Sequence, residues 1–313
     1  MTALEPAVSL AVDAYRTCEF VTLARDGTPL AWPTVARRRE DGTFLITTSL
    51  AFAQKALNVR RDGRVALLFS DPTGSGLDTP EQVVVSGTAA CPEEIVTSPR
   101  GEEAYWSALF DRQPDSRRYV DPPVRALMDW YYLRLLITVT PTDVRTRAPL
   151  SDAPTEDSHA DGASADLPGA AVLADFRTAV LAARDASGAP RLVRTRTTPV
   201  PGGFGVDPGV ERSIVPGPAS LLVHRHDERL AGIRNALVRG ELTRTPEGGW
   251  ALLPERVIEP SGDGRPRDLV RTLLTCRRTA KSYLRRRNLE RPRVDWPGFK
   301  ALAAESAARG GRT

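Results

Sequence analysis

Short apolar runs alternate with compact turn signals along the first half of the chain. Residues 18–25, 29–38 and 43–48 read as strands, separated by Asp26-Gly27 and Asp41-Gly42, dipeptides suited to tight hairpin turns. Two hairpins in succession predict an antiparallel sheet. Residues 5–16 ahead of them read as a short helix, and residues 52–61 behind them as another. The apolar run 65–70 and the valine-rich run 82–90 then add strands on either side of a Gly/Pro loop. Ser98-Pro99 offers an N-cap and first turn for a helix with Tyr105, Trp106, Leu109 and Phe110 on its apolar side. Residues 131–140 (YYLRLLITVT) close this half as another strand.

Residues 149–171 are small, acidic and Pro/Gly/Ser-containing, with no periodicity able to build a core, and they read as a linker. After it the pattern repeats. Gly27 and Pro29 correspond to Gly188 and Pro190 at an offset of 161, and Gly42 and Phe44 to Gly202 and Phe204 at 160. Leu67-Leu68 correspond to Leu221-Leu222 at 154, and Gly87 to Gly240 at 153. The offset falls between Phe204 and Leu221, where the first half has Thr47 to Arg61 and the second has PGVERSIVPGP without a lysine. One half therefore has a polar loop and helix that the other lacks. Two β-rich domains sharing turn chemistry by chance is the competing account.

The length of 313 residues suits two domains. No apolar run approaches the ~20 residues of a membrane-spanning helix, and no basic-then-apolar secretory signal opens the chain, so a cytoplasmic protein without a membrane partner is expected. Cys18, Cys91 and Cys276 are odd in number and widely spaced, which argues against a disulfide framework or a zinc site. The net charge of +4 is unevenly spread: residues 265–313 carry 14 Arg or Lys against 4 Asp or Glu, leaving the rest of the chain acidic. Lys55 is the only lysine before Lys281.

Thr47, Thr48 and Ser49 end a strand, and Gln54, Lys55, Asn58, Arg60 and Arg61 follow on a short helix. Hydroxyls, helix N-terminal amides and cations gathered this way suit a phosphate. A solvated helix behind a Thr/Ser cap would show the same residues. The wider run separates the two readings. FVTLARDGTPLAWPTVARRREDGTFLITT, QKALNVRRDGRVALLFSD and VVVSGTA, and within them Lys55, Asn58, Val59, Arg60, Arg61 and Asp62, resemble the FMN-binding split barrel of pyridoxamine 5′-phosphate oxidase-like proteins.

That resemblance covers residues 5–147 in element order and extends faintly over 172–260 through the repeat. It implies an α+β, mainly β chain of two tandem split β-barrels, the second degenerate, plus a C-terminal basic helix. The implied divisions are 1–148 (FMN-binding barrel), 149–171 (linker), 172–262 (second barrel) and 263–313 (basic helical segment). The implied activity is an FMN-dependent oxidoreductase acting on a small-molecule substrate. The alternatives are a reductase using the deazaflavin coenzyme F(420), or a non-catalytic split barrel that binds a cofactor or nucleic acid. By resemblance the flavin phosphate falls to Thr47, Thr48, Ser49 and Lys55, with Asn58 and Arg60, and the ring lies beside Trp32, Pro33 and Thr34. No catalytic acid or base is implied, because the flavin ring carries the hydride chemistry. The partner surface is either a second subunit of a homodimer or the second barrel acting as an intramolecular pseudo-dimer.

Three further features bear on ligands and partners. His224-Arg225-His226 puts two imidazoles on one face of a predicted strand, yet no third ligand lies at a recognisable spacing, so neither a metal nor haem is assigned. His159 falls in the linker and reads as solvated. Residues 266–289 read as a helix with Val270, Leu273, Leu274, Ala280 and Leu284 on a loose apolar stripe, expected to pack on the second barrel. Its arginines lack any accompanying nucleic-acid motif, so nucleic acid is not the expected partner.

Overall fold

The computed structural model describes residues 4–78, 80–150, 166–209, 211–259 and 266–310. Helix α1 (Pro6–Ala14) leads into a seven-stranded antiparallel sheet. Its strands are β1 (Cys18–Leu23), β2 (Pro29–Thr34), β3 (Ala36–Arg38), β4 (Phe44–Ser49), β5 (Arg64–Phe69), β6 (Gln82–Ala90) and β7 (Arg134–Arg147). A 3-10 turn, Leu50–Phe52, and helix α2 (Gln54–Arg61) join β4 to β5. Helices α3 (Glu103–Arg112) and α4 (Arg125–Met128) lie between β6 and β7.

The short helix α5 (Ala170–Ala174) opens the second half. It is followed by β8 (Ala179–Asp185), β9 (Pro190–Thr195), β10 (Thr197–Val200), β11 (Gly203–Val206), β12 (Ile214–Arg225), β13 (Arg234–Arg244) and β14 (Trp250–Ile258). The first sheet runs β2-β1-β5-β6-β7-β4-β3, and the second runs β9-β8-β12-β13-β14-β11-β10. The two orders are the same topology, so the chain is a tandem of two split β-barrels. The repeat extends to irregularities. The β6–β7 register shifts between Ser86 and Gly87, and the β13–β14 register shifts between Arg239 and Gly240. A Cβ at Gly87 would lie 2.4 Å from the Thr140 carbonyl oxygen, and one at Gly240 would lie 1.9 Å from that of Leu253. Both bulges need glycine because a neighbouring backbone passes where a side chain would stand. Residues 207–213 connect β11 to β12 without the counterpart of α2, which explains the fall in offset.

Several strands are apolar on both faces because each face has its own core. Cys18 and Phe20 of β1, with Val65, Leu67 and Phe69 of β5, fill the first barrel. Val21, Ala66 and Leu68 from the same strands meet Val180, Ala182 and Leu222 of the second barrel. The period-2 geometry of a strand thus divides one apolar run between a barrel interior and an inter-barrel seam. Polar contacts stitch the seam: the Ser220 hydroxyl donates to the Pro29 carbonyl (2.7 Å), and Arg239 pairs with Asp26 (2.7 Å).

Three local expectations differ from the structure, and one lies outside the described residues. The helix after Ser98-Pro99 begins at Glu103: the Ser98 hydroxyl accepts from the Arg100 amide (3.2 Å), but Pro99 to Glu102 form a separate turn with Gly101 at a positive φ of 84°. Tyr131 and Tyr132 lie in or beside a 3-10 turn ahead of β7, where they join an aromatic cluster. Residues 166–171, read as the end of the linker, already lead into α5, whose Leu173 is buried in the second core. Residues 151–165 of that linker, with His159, lie outside the described residues.

The C-terminal helix α6 (Pro266–Arg286) packs on the first barrel, not the second. Cys276, Ala280, Tyr283 and Leu284 enter the first core beside Leu50 and Trp130, while Leu274 faces outward at 46% exposure and the side chain of Val270 lies outside the described residues. Helix α7 (Trp296–Gly310), which the sequence reading did not anticipate, seats Phe299 against Trp106 and Tyr132, with ring centroids 4.6 and 4.5 Å away. No described helix is long and apolar enough to cross a membrane.

Candidate functional site

A cavity of about 940 Å³ opens where β2, the end of β4, the Leu50–Phe52 turn and α2 meet. Trp32, Pro33, Thr34, Thr47, Thr48, Ser49 and Lys55 all line it. The remaining walls come from far along the chain. Trp130, Tyr131 and Arg134 lead into β7, Ile233 and Asn235 come from the second barrel, and Arg278, Ser282, Tyr283 and Arg286 come from α6, with Arg287 just beyond its end.

Asn58 and Arg60 do not join this wall. Asn58 is fully buried, donates to the Thr22 hydroxyl (2.9 Å) and accepts from Gln54 (2.8 Å), which locks α2 to β1. Arg60 donates to the Cys91 carbonyl (3.0 Å), the Pro92 carbonyl and the Tyr283 hydroxyl (3.1 Å). Position along an eight-residue helix decides this division. Lys55 is on the first turn, at the end facing the cavity, whereas Asn58 and Arg60 are a turn further on. The hydroxyls divide as well. Thr47 donates to the Tyr105 hydroxyl (3.0 Å) and Thr48 to the Phe52 carbonyl (2.8 Å), whereas the Ser49 hydroxyl is buried without a protein partner.

Charge at the cavity is one-sided. Lys55 has no ion pair or hydrogen bond among the described residues, and its ammonium stands 5.9 Å from the centre of the Trp32 ring. Burial, and then the nearby Arg134 charge, push its pKa down to about 8. Arg134 is itself buried, with its guanidinium 4.1 Å from the Tyr131 ring and 5.3 Å from that of Trp106, and its Nε lacks a partner. The buried indole N–H of Trp130 is also unpartnered. Two cations and three unsatisfied polar atoms belong to residues lining one cavity, a set that could hold an anion, because buried polar groups are ordinarily paired. Arg278, Arg286 and Arg287 extend the positive wall to the exposed rim.

Arg134 was legible in one respect: it is a lone charge inside the apolar run YYLRLLITVT. The helix α6 arginines and Ile233/Asn235 reach the cavity through tertiary packing alone. The Gly74-Ser75-Gly76 loop does not cover it. Arg16 Nε donates to the Gly74 carbonyl (2.7 Å), and Gly74 rests against Glu228 near the other side of the seam.

A second cavity of about 870 Å³ is the repeat-related counterpart of the first. Val193, Arg194 and Thr195 stand in it where Trp32, Pro33 and Thr34 stand in the first, and Gln82 takes the place of Asn235. It has no counterpart of α2 or Lys55. Instead Asp207, Pro208 and Gly209 occupy the connection. Its Arg147 and Arg194 are paired with Glu211 and Glu19, so among the described residues the unpaired Lys55 and Arg134 arrangement has no counterpart there.

No family model matches the sequence, and no curated protein matches it. Solved structures do. A conserved hypothetical protein from Mycobacterium tuberculosis is 22% identical over 50% of this chain and 95% of its own, with a TM-score of 0.35. A protein named F420 reductase is 24% identical over 46% of this chain and 98% of its own, TM-score 0.32. A putative pyridoxamine 5′-phosphate oxidase from Listeria innocua is 15% identical over 45% and 94%, TM-score 0.30. In fold the chain is similar to these three proteins over about half of its length. Each of these three matches covers at most half of this chain, whose own architecture has two barrels.

Proposed function

We propose that the chain is a flavin-dependent oxidoreductase acting on a small organic substrate, with FMN bound in the cavity around Lys55 and one such site per chain. The observation that carries this reading is the unpaired cationic cluster: Lys55 and Arg134, beside the unsatisfied Ser49 hydroxyl and Trp130 indole N–H. A phosphate supplies acceptors for all four and neutralises two buried charges. Thr47 and Thr48, whose hydroxyl hydrogens are already committed, shape the strand end rather than lead the binding.

When bound, the flavin ring supplies hydride transfer. The chain's own residues then bind and orient. Trp32, Pro33 and Thr34 offer a flat wall along β2, and Trp130 and Tyr131 a second apolar surface that excludes water. The second barrel takes the place of a partner subunit through Ile233 and Asn235.

A second reading, in which the cofactor is the deazaflavin coenzyme F(420), is favoured by one observation. Arg278, Arg286 and Arg287 add three cations beyond what one phosphate monoester requires, and suit a longer anionic tail. The absorbance spectrum of the purified protein, followed by titration with each cofactor, separates the readings. A bound flavin spectrum or micromolar FMN affinity supports the first, and selective deazaflavin binding the second. Failure of both to bind at micromolar concentration leaves a non-catalytic barrel and overturns the proposal.

A further inference from the structure

At the seam, three metal-ligand side chains from both barrels converge. Asp71 follows β5, His224 ends β12 and His226 lies just beyond it. Asp71 Oδ2 is 3.8 Å from His224 Nδ1 and 3.6 Å from His226 Nε2, and the three ligand atoms all lie within 4.8 Å of one another. A tetrahedral ion with ligands at roughly 2.1 Å spaces them by about 3.4 Å, so the two Asp71 distances need contract by only a few tenths of an ångström, and the two imidazoles by about 1.4 Å at most, to close the set.

The surroundings fix which nitrogens face inward. His224 Nε2 lies 2.7 Å from a Glu19 carboxylate oxygen, and His226 Nδ1 lies 2.8 Å from the Asp227 carbonyl. Both of those oxygens only accept, so these nitrogens carry the ring protons, and the lone pairs of His224 Nδ1 and His226 Nε2 are left toward Asp71. The His224 side chain is 2% exposed, and its Nδ1 is buried without a hydrogen-bond partner. Asp71 is oriented from behind: its Oδ1 accepts from the Thr73 amide (3.1 Å), leaving Oδ2 toward the histidines. A carboxylate behind one imidazole and a carbonyl behind the other is the support that metal-binding histidines ordinarily have. The one competing donor is the Thr17 hydroxyl, 3.0 Å from His226 Nε2, which can rotate away without uncovering a charge.

We propose that Asp71, His224 and His226 form a binding site for a divalent transition-metal ion, zinc by the chemistry of two imidazoles and a carboxylate, with a solvent ligand completing four-coordination. Two ligands come from the second barrel and one from the first, so the ion bridges the seam. The sequence did not show this site because its third ligand is 153 residues from His224.

The test uses full-length protein stripped with chelator and then titrated with zinc against a chromophoric competitor, and separately with cobalt(II). One equivalent of zinc should bind at micromolar or tighter affinity and raise the melting temperature by several degrees. Cobalt should give visible absorption of four-coordinate intensity. Asp71→Asn and His226→Ala should each lose the cobalt spectrum and weaken zinc at least tenfold, while Lys55→Ala leaves both unchanged. No protein-dependent cobalt absorption in the wild-type chain overturns the site, and that readout does not depend on any variant folding. A melting temperature that responds to pH between 5 and 8 but not to zinc assigns the cluster to a shared proton, and also overturns it.

Discussion

Arg60 Nη1 donates to the Tyr283 hydroxyl at 3.1 Å, joining the helix that carries Lys55 to a helix 223 residues later. Tyr283→Phe removes this bond while keeping the ring buried in the first core, and should cost about 0.5–1.5 kcal/mol in denaturant unfolding. Deleting residues 266–313 should do far more, since it uncovers the part of the first core that Cys276, Ala280 and Leu284 cover and removes Arg278, Arg286 and Arg287 from the cavity wall. Loss of cofactor binding together with stability is the expected result. A truncated chain that folds normally and loses only nucleic-acid binding would favour the non-catalytic alternative.

Lys55→Ala should weaken cofactor binding by roughly 1–3 kcal/mol, the range for a charged hydrogen bond, as read by fluorescence titration. Its effect on the free protein should have a distinctive pH profile. The folded-state pKa of Lys55, about 8, lies below the unfolded value of 10.5, so the unfolded chain holds more protons between them. The contribution of Lys55 to stability therefore rises from pH 8 to pH 10.5, and Lys55→Met should remove that rise.

Glu19 offers the opposite sign. Burial alone would raise its carboxyl, but Arg194, His224 and Ser70 more than offset this and hold it below the usual value. The stability it provides is present above its unfolded pKa near 4.5 and is lost as pH falls through the lower folded value. Glu19→Ala leaves Arg194 buried across the seam without its counter-charge, and should destabilise by about 3–5 kcal/mol at pH 7. The acid limb of the unfolding curve should flatten in the same variant.

The bulge glycines are paired predictions. Gly87→Ala and Gly240→Ala should each cost about 1–3 kcal/mol, because backbone carbonyls stand at 2.4 and 1.9 Å from where the new methyl group must go. Gly76→Ala, with nothing within 4 Å of its Cβ, has only its positive φ (69°) to oppose it and should cost less.

Legibility in the sequence followed the range of the interactions. The hairpins and the repeat were readable because turn chemistry and strand period are local: Asp26-Gly27 and Asp41-Gly42 turn where they should, and β6 runs from Gln82 to Ala90 as read. The repeat also pointed to a single lysine site. What was not readable depended on which of several apolar faces a segment would find. Helix α6 has a face that either barrel could have accepted, and the first barrel took it because Cys276, Ala280 and Leu284 fit beside Leu50 and Trp130. Asn58 and Arg60 belong to the motif by spacing, yet they hold α2 in place rather than facing the cavity. The pairing of Asp71 with the two histidines required knowing how the barrels meet.

The seam between the barrels has a consequence for how the protein behaves on dilution. An interface between separate subunits empties as concentration falls, and any pocket that spans it empties too. Here Ile233 and Asn235 reach the cavity from the same polypeptide as Lys55. Their presence is set by an effective concentration fixed by the chain, so the pocket should be as complete at nanomolar protein as at millimolar. The two halves also differ in what they bring to it: the first supplies Lys55 on α2, and the second supplies wall.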